Sequence, residues 1–174
     1  MSFAFGHLVF SWLIGKSKEK ISKTKLLRVE WFLLLFGAVF PDGDYLIDWI
    51  FGINFHRTIT HSFLMVLLSF LVIYFVCYFF DKKLNGKRLG LFFAIGILSH
   101  LIADFIMGSP GVPLLWPLEY RFWLWGFSYH YIHLTLEQIP KEELVMHLRW
   151  AIFDMGLGVL WLGYLFFKNK IKEF

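Results

Sequence analysis

The sequence predicts an all-α fold, a polytopic transmembrane bundle of four spanning helices plus a shorter apolar helix at the N-terminus. Hydrophobic residues make up 58% of the 174 residues and charged residues only 17%, whereas soluble domains carry about 25% charged residues. The stretch 62–80 has 19 residues without a charge, enough for a helix to cross a hydrocarbon core of about 30 Å. Since no repeat, low-complexity tract or linker divides the chain, we expect one domain over 1–174.

Five apolar stretches define the expected helices, and they cover residues 3–15, 29–47, 62–80, 89–107 and 148–167. The last four are each long enough to span a membrane. The first would reach only about 20 Å as a helix, so it is either a partial span or a helix buried against the others. "PDGD" at 41–44 interrupts the second stretch near its end, because proline and glycine break helices. Residues 134–147 read as an amphipathic surface helix.

The basic residues predict the orientation in the membrane. Segments 16–28, 81–88 and 168–174 carry net charges of +5, +3 and +2, whereas segment 108–147 carries −2. The positive-inside rule places the three basic segments in the cytoplasm. We therefore expect a multi-pass protein of the inner or plasma membrane, with its N-terminus outside and its C-terminus cytoplasmic. The basic cluster follows the first apolar run, and no small-residue cleavage site is evident, so no removable signal peptide is expected.

Ionisable residues inside the apolar stretches converge on the outer half of the bundle. Counted from the cytoplasmic ends, they lie between about 13 Å, for His7, and about 30 Å, for His61. Charged and imidazole groups are costly inside a membrane, and they usually face a functional cavity. The sequence therefore predicts a site in the outer half of the bundle, near residues His7, Asp42, Asp44, His61, His100, Asp104 and Asp154.

Two motifs have the spacing of metal ligands. His100 and Asp104 in "SHLIAD" are four residues apart, so they share a helix face and can bind one ion. The alternative is a hydrogen bond between them at a helix contact. Asp42 and Asp44 flank Gly43 in a turn that lets both carboxylates approach one point, and their alternative is a solvated loop or a helix cap.

"HRTITHS" at 56–62 supplies two more imidazoles and a cation at the mouth of an apolar run. We expect His56 in a loop, with Thr60 capping the helix that His61 begins. Arg57 suits an anionic phosphate because its guanidinium is a planar fork; the alternative is an arginine that reaches the lipid headgroups. For His56 and His61, the alternative to a ligand role is that of a side chain at the membrane interface.

A divalent cation explains these residue types together. His7 has no polar neighbour in its helix except Ser11, so it needs a partner from elsewhere or a hydrogen bond to that serine. Histidine and aspartate without cysteine favour a catalytic zinc or similar ion, and the single cysteine excludes a multi-cysteine zinc site. We assign catalytic roles to Asp42, Asp44 and Arg57. The predicted metal ligands are His7, Asp42, Asp44, His56, His61, His100 and Asp104.

The segment 108–133 is rich in proline and tryptophan, and we expect it to cover the site from the outer leaflet. His130 and His133 could add ligands but fit an interfacial aromatic belt better. His147 and Asp154 share a face of the last helix, and of these two only Asp154 is expected at the site. Their roles, and those of His130 and His133, stay open at the level of sequence.

The order of His7, "PDGD", "HRTITHS", "SHLIAD" and "GVPLLWP" resembles the YdjM-type family, LexA-binding and inner membrane-associated metal-dependent hydrolases. The resemblance covers residues 7 to about 117, and Asp154 more loosely. That family is in turn distantly similar to zinc-dependent phospholipases C and single-strand nucleases, helical enzymes with a three-zinc cluster. By that likeness His7, an aspartate of "PDGD", His61, His100 and Asp104 match ligand positions. Those enzymes also use an N-terminal tryptophan amine that Met1 does not supply, so two ions are expected, with three as the alternative.

The sequence thus predicts an integral membrane hydrolase that cleaves a phosphoester, with lipid phosphoesters among the candidate substrates, by attack of a metal-activated water. The expected partners are membrane lipids and a small phosphoester or lipid substrate. Nucleic acid is not expected, because the basic segments lie away from the site. The alternatives are a non-enzymatic metal-binding or transport protein, and a membrane anchor that holds a cytoplasmic protein through loop 16–28.

Overall fold

The computed structural model describes residues 4–53, 55–107, 111–124, 126–129 and 141–174. These residues are mostly helical, as predicted, but they also form a two-stranded antiparallel hairpin that the sequence did not predict. The elements follow one another as α1 (Ala4–Ser22), α2 (Arg28–Val39), a 3-10 turn (Pro41–Asp44), α3 (Tyr45–Phe51), a 3-10 turn (Ile59–His61), α4 (Phe63–Phe80), α5 (Gly86–Met107), β1 (Tyr120–Trp123), β2 (Gly126–Tyr129), α6 (Lys141–Phe167) and a 3-10 turn (Ile171–Glu173).

Three helices in the described ranges are long and apolar enough to cross a membrane: Phe63–Phe80, Gly86–Met107 and Leu148–Phe167. They correspond to three of the four predicted spans. The predicted count of four is wrong, because the stretch 29–47 is not one helix. Pro41 has no N–H to continue the ladder, so α2 ends at Val39 and the chain turns before α3 begins. The first helix, in contrast, continues past the apolar stretch to Ser22.

Helix α5 lies at the centre of the bundle. Its spanning window is 61% buried, against 11% for α4 and 17% for that of α6. The outer faces of α4 and α6 expose large apolar side chains, among them Phe79, Leu160 and Phe167. A helix that is apolar all round suits a lipid environment, so these faces are the natural lipid contacts.

Two glycines bring α2 and α5 close together. A Cβ on Gly37 would stand 2.5 Å from the carbonyl oxygen of Phe93, and a Cβ on Gly96 would collide with the carbonyl of Leu34. Small residues let helix backbones approach closely in membrane proteins. Since the "PDGD" turn directly follows α2, this close packing sets Asp42 beside the last two turns of α5.

The ends of the bundle differ in character. The basic ends of α1 and α6 lie with the start of α5 at one end, where buried Glu30 of α2 accepts a hydrogen bond from Arg88 of α5 (3.1 Å). At the opposite end, Val112 pairs with Phe122 and Leu124 donates to the carbonyl of Phe105 (2.9 Å). The hairpin and residues 111–119 therefore cover the second end.

Candidate metal centre

Four separate segments bring histidines and aspartates together at the hairpin end. His7 comes from α1, Asp42 from the "PDGD" turn, His61 from the turn before α4, and His100 and Asp104 from α5. The three histidines are fully buried and Asp104 is 2% exposed, while the side chain of Asp42 is 28% exposed. Among the described residues, the groups with ligand atoms close enough for one ion are His7–Asp42–His100, Asp42–His56–His61 and His61–His100–Asp104.

His61 and His100 direct their Nε2 atoms at each other, 3.2 Å apart. His100 Nδ1 lies 2.8 Å from the carbonyl oxygen of Ala38, which only accepts, so we assign the proton to Nδ1 and a lone pair to Nε2. Ala38 offers this carbonyl because the last carbonyls of a helix have no partner within the helix. Two nitrogen ligands of one tetrahedral zinc are about 3.3 Å apart, which matches the observed spacing.

His61, like His100, is held through its Nδ1 atom. Thr60 donates its hydroxyl proton to Asp44, so its oxygen accepts from His61 Nδ1 at 3.0 Å. The Nε2 lone pair of His61 therefore faces that of His100. Facing lone pairs repel one another unless a cation or a proton lies between them, so the donor set fits a metal ion.

Asp42 and Asp104 each offer one oxygen to this histidine pair and the other to His7. Asp42 Oδ1 is 3.6 Å from the Nε2 atoms of both His61 and His100, and its Oδ2 is 3.9 Å from His7 Nε2. Asp104 Oδ2 lies 3.9 Å and 3.7 Å from the same pair, and its Oδ1 lies 3.6 Å from His7. The His7 ring also stacks on that of His100, 3.8 Å between centroids. Two carboxylates so placed can bridge two ions.

Asp44 lies behind the histidines. Its Oδ1 is 2.6 Å from His56 Nδ1, and its Oδ2 accepts from Thr60. Asp44 is absent from the ligand groups above, and carboxylates in this position orient metal-binding histidines. The Nε2 atom of His56 is buried with no hydrogen-bond partner among the described residues, so His56 still has a nitrogen to offer an ion.

The described structure corrects one detail of "HRTITHS". Thr60 does not cap α4, because its hydroxyl is committed to Asp44. Ser62 takes that place instead, and its Oγ accepts from Met65 N at 3.3 Å. His61 therefore lies in the turn before the helix, which lets its ring reach inward to α5.

Arg57 connects this cluster with the covering segment. Its Nη2 donates to Asp104 Oδ2 at 2.9 Å and its Nη1 to the carbonyl of Gly111 at 3.2 Å. Its backbone is in the left-handed region, at φ 58°, which is uncommon for a residue other than glycine and costs conformational energy. Arg121 holds this backbone through a hydrogen bond from its Nη2 to the Arg57 carbonyl, 3.2 Å long.

Neighbouring side chains lower the pKa of both turn aspartates, Asp42 and Asp44. Burial opposes the charge on Asp44, but hydrogen bonds from His56, His61 and Thr60 outweigh it and hold the pKa of Asp44 well below its usual range. Burial likewise opposes the charge on Asp42, and the neighbouring His61, His100 and His7 lower its pKa. An ionised carboxylate is the form of aspartate that binds a divalent cation.

Asp154 was expected at the site, but its carboxylate is bonded to the start of α1. Its carboxylate accepts from the backbone N–H groups of Phe5 (3.1 Å) and Gly6 (2.6 Å). These donors belong to the first turn of α1, which has no partners within its own helix. Asp154 thus anchors the start of α1, one turn before His7. His130 and His133 lie outside the described residues, and of His147 only the helical backbone is described.

The sequence reasoning missed Asp48. Its carboxylate accepts from the backbone N–H groups of Phe55 (2.5 Å) and His56 (3.0 Å). It therefore closes the loop that carries His56 and Arg57. Its position inside the apolar run "YLIDWIF" could have marked Asp48, because an ionisable group in an apolar segment is costly, as it is for the other aspartates.

A family model for the YdjM inner membrane protein matches residues 1–171. No curated protein and no solved structure matches the chain. The match covers nearly the whole chain and confirms the family that the motifs predicted. It also agrees with the apolar helices described above. The chain therefore belongs to the YdjM inner membrane protein family.

Proposed function

We propose that the protein is an integral membrane metal-dependent hydrolase that acts on a phosphoester. One observation carries this proposal. His7, Asp42, His61, His100 and Asp104 come from four segments and meet with their ligand atoms 3.2–3.9 Å apart. Such a cluster of costly buried groups needs a compensating role, and a divalent cation supplies one.

The residues divide into ligands and orienting groups. His61 and His100 would bind one ion through Nε2, and His7 would bind a second. Asp42 and Asp104 would bridge the two, since each faces both sides. Asp44, through Thr60, and the carbonyl of Ala38 hold the imidazoles in place. Arg57 fixes Asp104 and contributes a positive charge to the site.

When bound, divalent ions lower the pKa of a coordinated water and stabilise negative charge on the group under attack. Asp42 is the partly exposed member of the cluster, so water and substrate would reach the centre past its carboxylate. The centre lies at the end opposite the basic segments. By the positive-inside rule, that end faces outward from the cytoplasm. A site at this depth in a membrane favours a lipid phosphoester as substrate.

Metal analysis tests the proposal. Wild-type protein purified under zinc- or manganese-replete conditions should hold about two divalent ions per chain, the number that bridging carboxylates permit. His61→Ala and His100→Ala should lose metal, while Ser99→Ala, beside His100 but bonded only within α5, should keep it. Hydrolysis of phospholipids and generic phosphoesters should follow metal content. A wild type without any divalent ion would refute the proposal.

A further inference from the structure

A shallow cavity of about 490 Å³ runs along one face of α1 toward the basic end of that helix. Its lining is apolar within the stretch 3–15 and mixed within the basic segment 16–28, and it includes Phe10, Leu13, Ile14, Ser17, Lys18 and Ile21. From Phe10 to Ile21 the helix rises by about 17 Å. The lining therefore has the order of polarity of a phospholipid, with room for a phosphate group at one end and for part of an acyl chain at the other.

The apolar side chains of this face are open to the surroundings of the protein. Leu13 is 50% exposed and Ile21 is 83% exposed. Ile21 belongs to the basic segment, where the chain leaves the membrane and water would otherwise cover it. Exposed apolar side chains that lie together mark contacts with a partner or a membrane, so this face is suited to contact with a hydrocarbon chain.

The two carboxylates of segment 16–30 are occupied by other partners. Glu19 pairs with Lys16 at 2.9 Å and accepts from the N–H of Leu26, also at 2.9 Å. Glu30 is fully buried and pairs with Arg88 of α5. Neither carboxylate therefore neutralises the other cations of the segment.

Five cations remain at this end of α1, namely Lys18, Lys20, Lys23, Lys25 and Arg28. None of them forms an ion pair with a carboxylate whose side chain the structure describes. All except Lys18 are exposed, and Lys18 lines the cavity with its Nζ 5.8 Å from the ring centroid of Phe92. Basic residues next to an apolar segment attract the anionic headgroups of a membrane.

We propose that this α1 cavity and the surrounding cations bind an anionic phospholipid of the leaflet at the basic end, which the positive-inside rule places on the cytoplasmic side. The phosphate group would bind at Lys18, with Lys20 adding attraction, and an acyl chain would lie along Phe10, Leu13 and Ile14. A nucleic acid or an acidic protein would match the charge but would bring no hydrocarbon chain to cover the apolar face.

The lipid site does not rest on the proposed hydrolase function. Its residues are absent from the metal-ligand groups found among the described residues. Lipid binding and metal binding can therefore be measured separately.

Native mass spectrometry of the full-length, detergent-purified protein tests the site. The protein is titrated with dioleoyl phosphatidylglycerol or with dioleoyl phosphatidylcholine, which has the same acyl chains and no net charge. Phosphatidylglycerol should bind at least fivefold more tightly. Equal binding of the two lipids would overturn the proposal.

Substitution of the cations locates the headgroup. Lys18→Gln combined with Lys20→Gln should weaken phosphatidylglycerol binding at least tenfold, because each basic residue near a membrane surface contributes about fivefold. Lys18→Arg with Lys20→Arg keeps the charge and should bind as the wild type does. Lys82→Gln with Lys83→Gln removes the same charge from the exposed loop 81–88 and should have little effect. Equal losses in the two glutamine pairs would mean attraction by total charge, and would refute a site on α1.

Substitution of Ile21 tests the acyl chain. Ile21→Gln leaves the charge unchanged and should weaken phosphatidylglycerol binding severalfold, whereas Leu84→Gln, at an exposed leucine of loop 81–88, should not. Both positions are exposed, so the variants should keep the wild-type elution volume in size-exclusion chromatography. Equal effects of the two substitutions would contradict a chain in the cavity.

Two further measurements separate the lipid site from its rivals. If a single-stranded oligonucleotide or polyglutamate displaces phosphatidylglycerol as well as an excess of the lipid does, the surface binds polyanions in general and the proposal fails. The Lys18 and Lys20 double variant should lose the lipid and keep the metal content of the wild type. A wild type that binds phosphatidylglycerol but no divalent ion would support the lipid site and refute only the hydrolase.

Discussion

Each histidine in the "HRTITHS" and "SHLIAD" motifs is oriented through the ring nitrogen that faces away from the proposed ions. The Ala38 carbonyl holds His100, Thr60 holds His61, and Asp44 holds His56. In metal sites, such partners fix the tautomer and the plane of the ring. At the scale of single residues, the candidate site is therefore a set of imidazole lone pairs whose directions are set by the groups behind them.

Asp44→Asn tests the distinction between an orienting group and a ligand. The substitution removes the charge behind His56 and Thr60 but leaves His61, His100 and Asp42 in place. We expect the same number of bound ions, with affinity lower by about 10- to 100-fold, measured by competition with a metal-chelating dye. Asp42→Asn, the matched change in the same turn, should reduce the number of ions. If Asp44→Asn also reduces the number, Asp44 is a ligand, as the sequence predicted.

Asp154→Ala tests the anchor of α1. The variant leaves the N–H groups of Phe5 and Gly6 without their carboxylate acceptor. Loss of a helix cap costs about 1 kcal/mol, so the midpoint of thermal unfolding in detergent should fall by a few degrees. Asp154→Asn keeps one acceptor oxygen and should lose less. An unchanged midpoint in both variants would mean that α1 does not need this anchor.

At the scale of elements, the position of the site depends on one helix break and one close helix contact. Pro41 ends the α2 ladder and turns Asp42 inward, while Gly37 and Gly96 let α2 lie against α5. The exposed face of α4 and most of α6 are apolar surfaces suited to contact with lipid. Within the described residues, neither helix contributes to the candidate metal-ligand groups. The geometry of the candidate metal centre therefore depends on the α1–α2–α5 contacts and on the loop before α4.

Gly96→Ala tests the contact between α2 and α5. The new Cβ would collide with the Leu34 carbonyl and lie 2.9 Å from Gly37 Cα, so α2 must move away. Overpacking of this kind costs about 1–3 kcal/mol, and metal affinity should fall together with thermal stability. Gly163→Ala on α6 is the matched control, since a Cβ there meets nothing within 4 Å. Equal effects of the two substitutions would rule out a special role for this contact.

Glu30 and Arg88 form an ion pair, and replacing one partner should cost more stability than replacing the other. Glu30 is fully buried, whereas the Arg88 side chain is 44% exposed. Arg88→Met leaves a buried carboxylate uncompensated and should cost up to about 3 kcal/mol. Glu30→Gln leaves an arginine that can reach water and keeps an acceptor for the N–H of Leu27, so it should cost less. Thermal unfolding of both variants measures the order, and the reverse order would contradict this account.

At the scale of the whole molecule, the distribution of basic residues predicts the direction in which the candidate site faces. The basic segments 16–28, 81–88 and 168–174 lie at the end away from the histidines. The positive-inside rule then predicts that the candidate centre opens toward the outer side of the membrane. A hydrolase of this orientation would meet substrates of the outer leaflet.

Cysteine labelling measures this orientation. With the native Cys77 replaced by serine, Leu84→Cys and Leu118→Cys place single thiols at exposed positions near the two ends of the bundle. A membrane-impermeant maleimide added to spheroplasts should label the Leu118→Cys protein, and the Leu84→Cys protein only after lysis. Labelling in the opposite pattern would reverse the proposed topology and place the centre on the cytoplasmic side.

Much of this protein follows from sequence alone. The membrane class, three spanning helices and the family depend on local properties, namely apolar length and motif order. The residues of the candidate site could also be singled out from the sequence, because an ionisable group within an apolar stretch is costly wherever the chain folds. His7 is the clearest example, since no local feature other than its isolation marked it.

The tertiary structure decided which role each of these residues has. Asp44 and Asp42 are equivalent in "PDGD", but one lies behind the histidines and the other between them. Asp154 looked like a site residue and anchors α1 instead. The break after Val39 and the hydrogen bonds of Arg57 to Asp104 and Gly111 likewise depend on how distant segments pack. Hydropathy and spacing report the cost of burying a group, whereas its role depends on the direction of its lone pairs and on the partner that packing brings within about 3 Å.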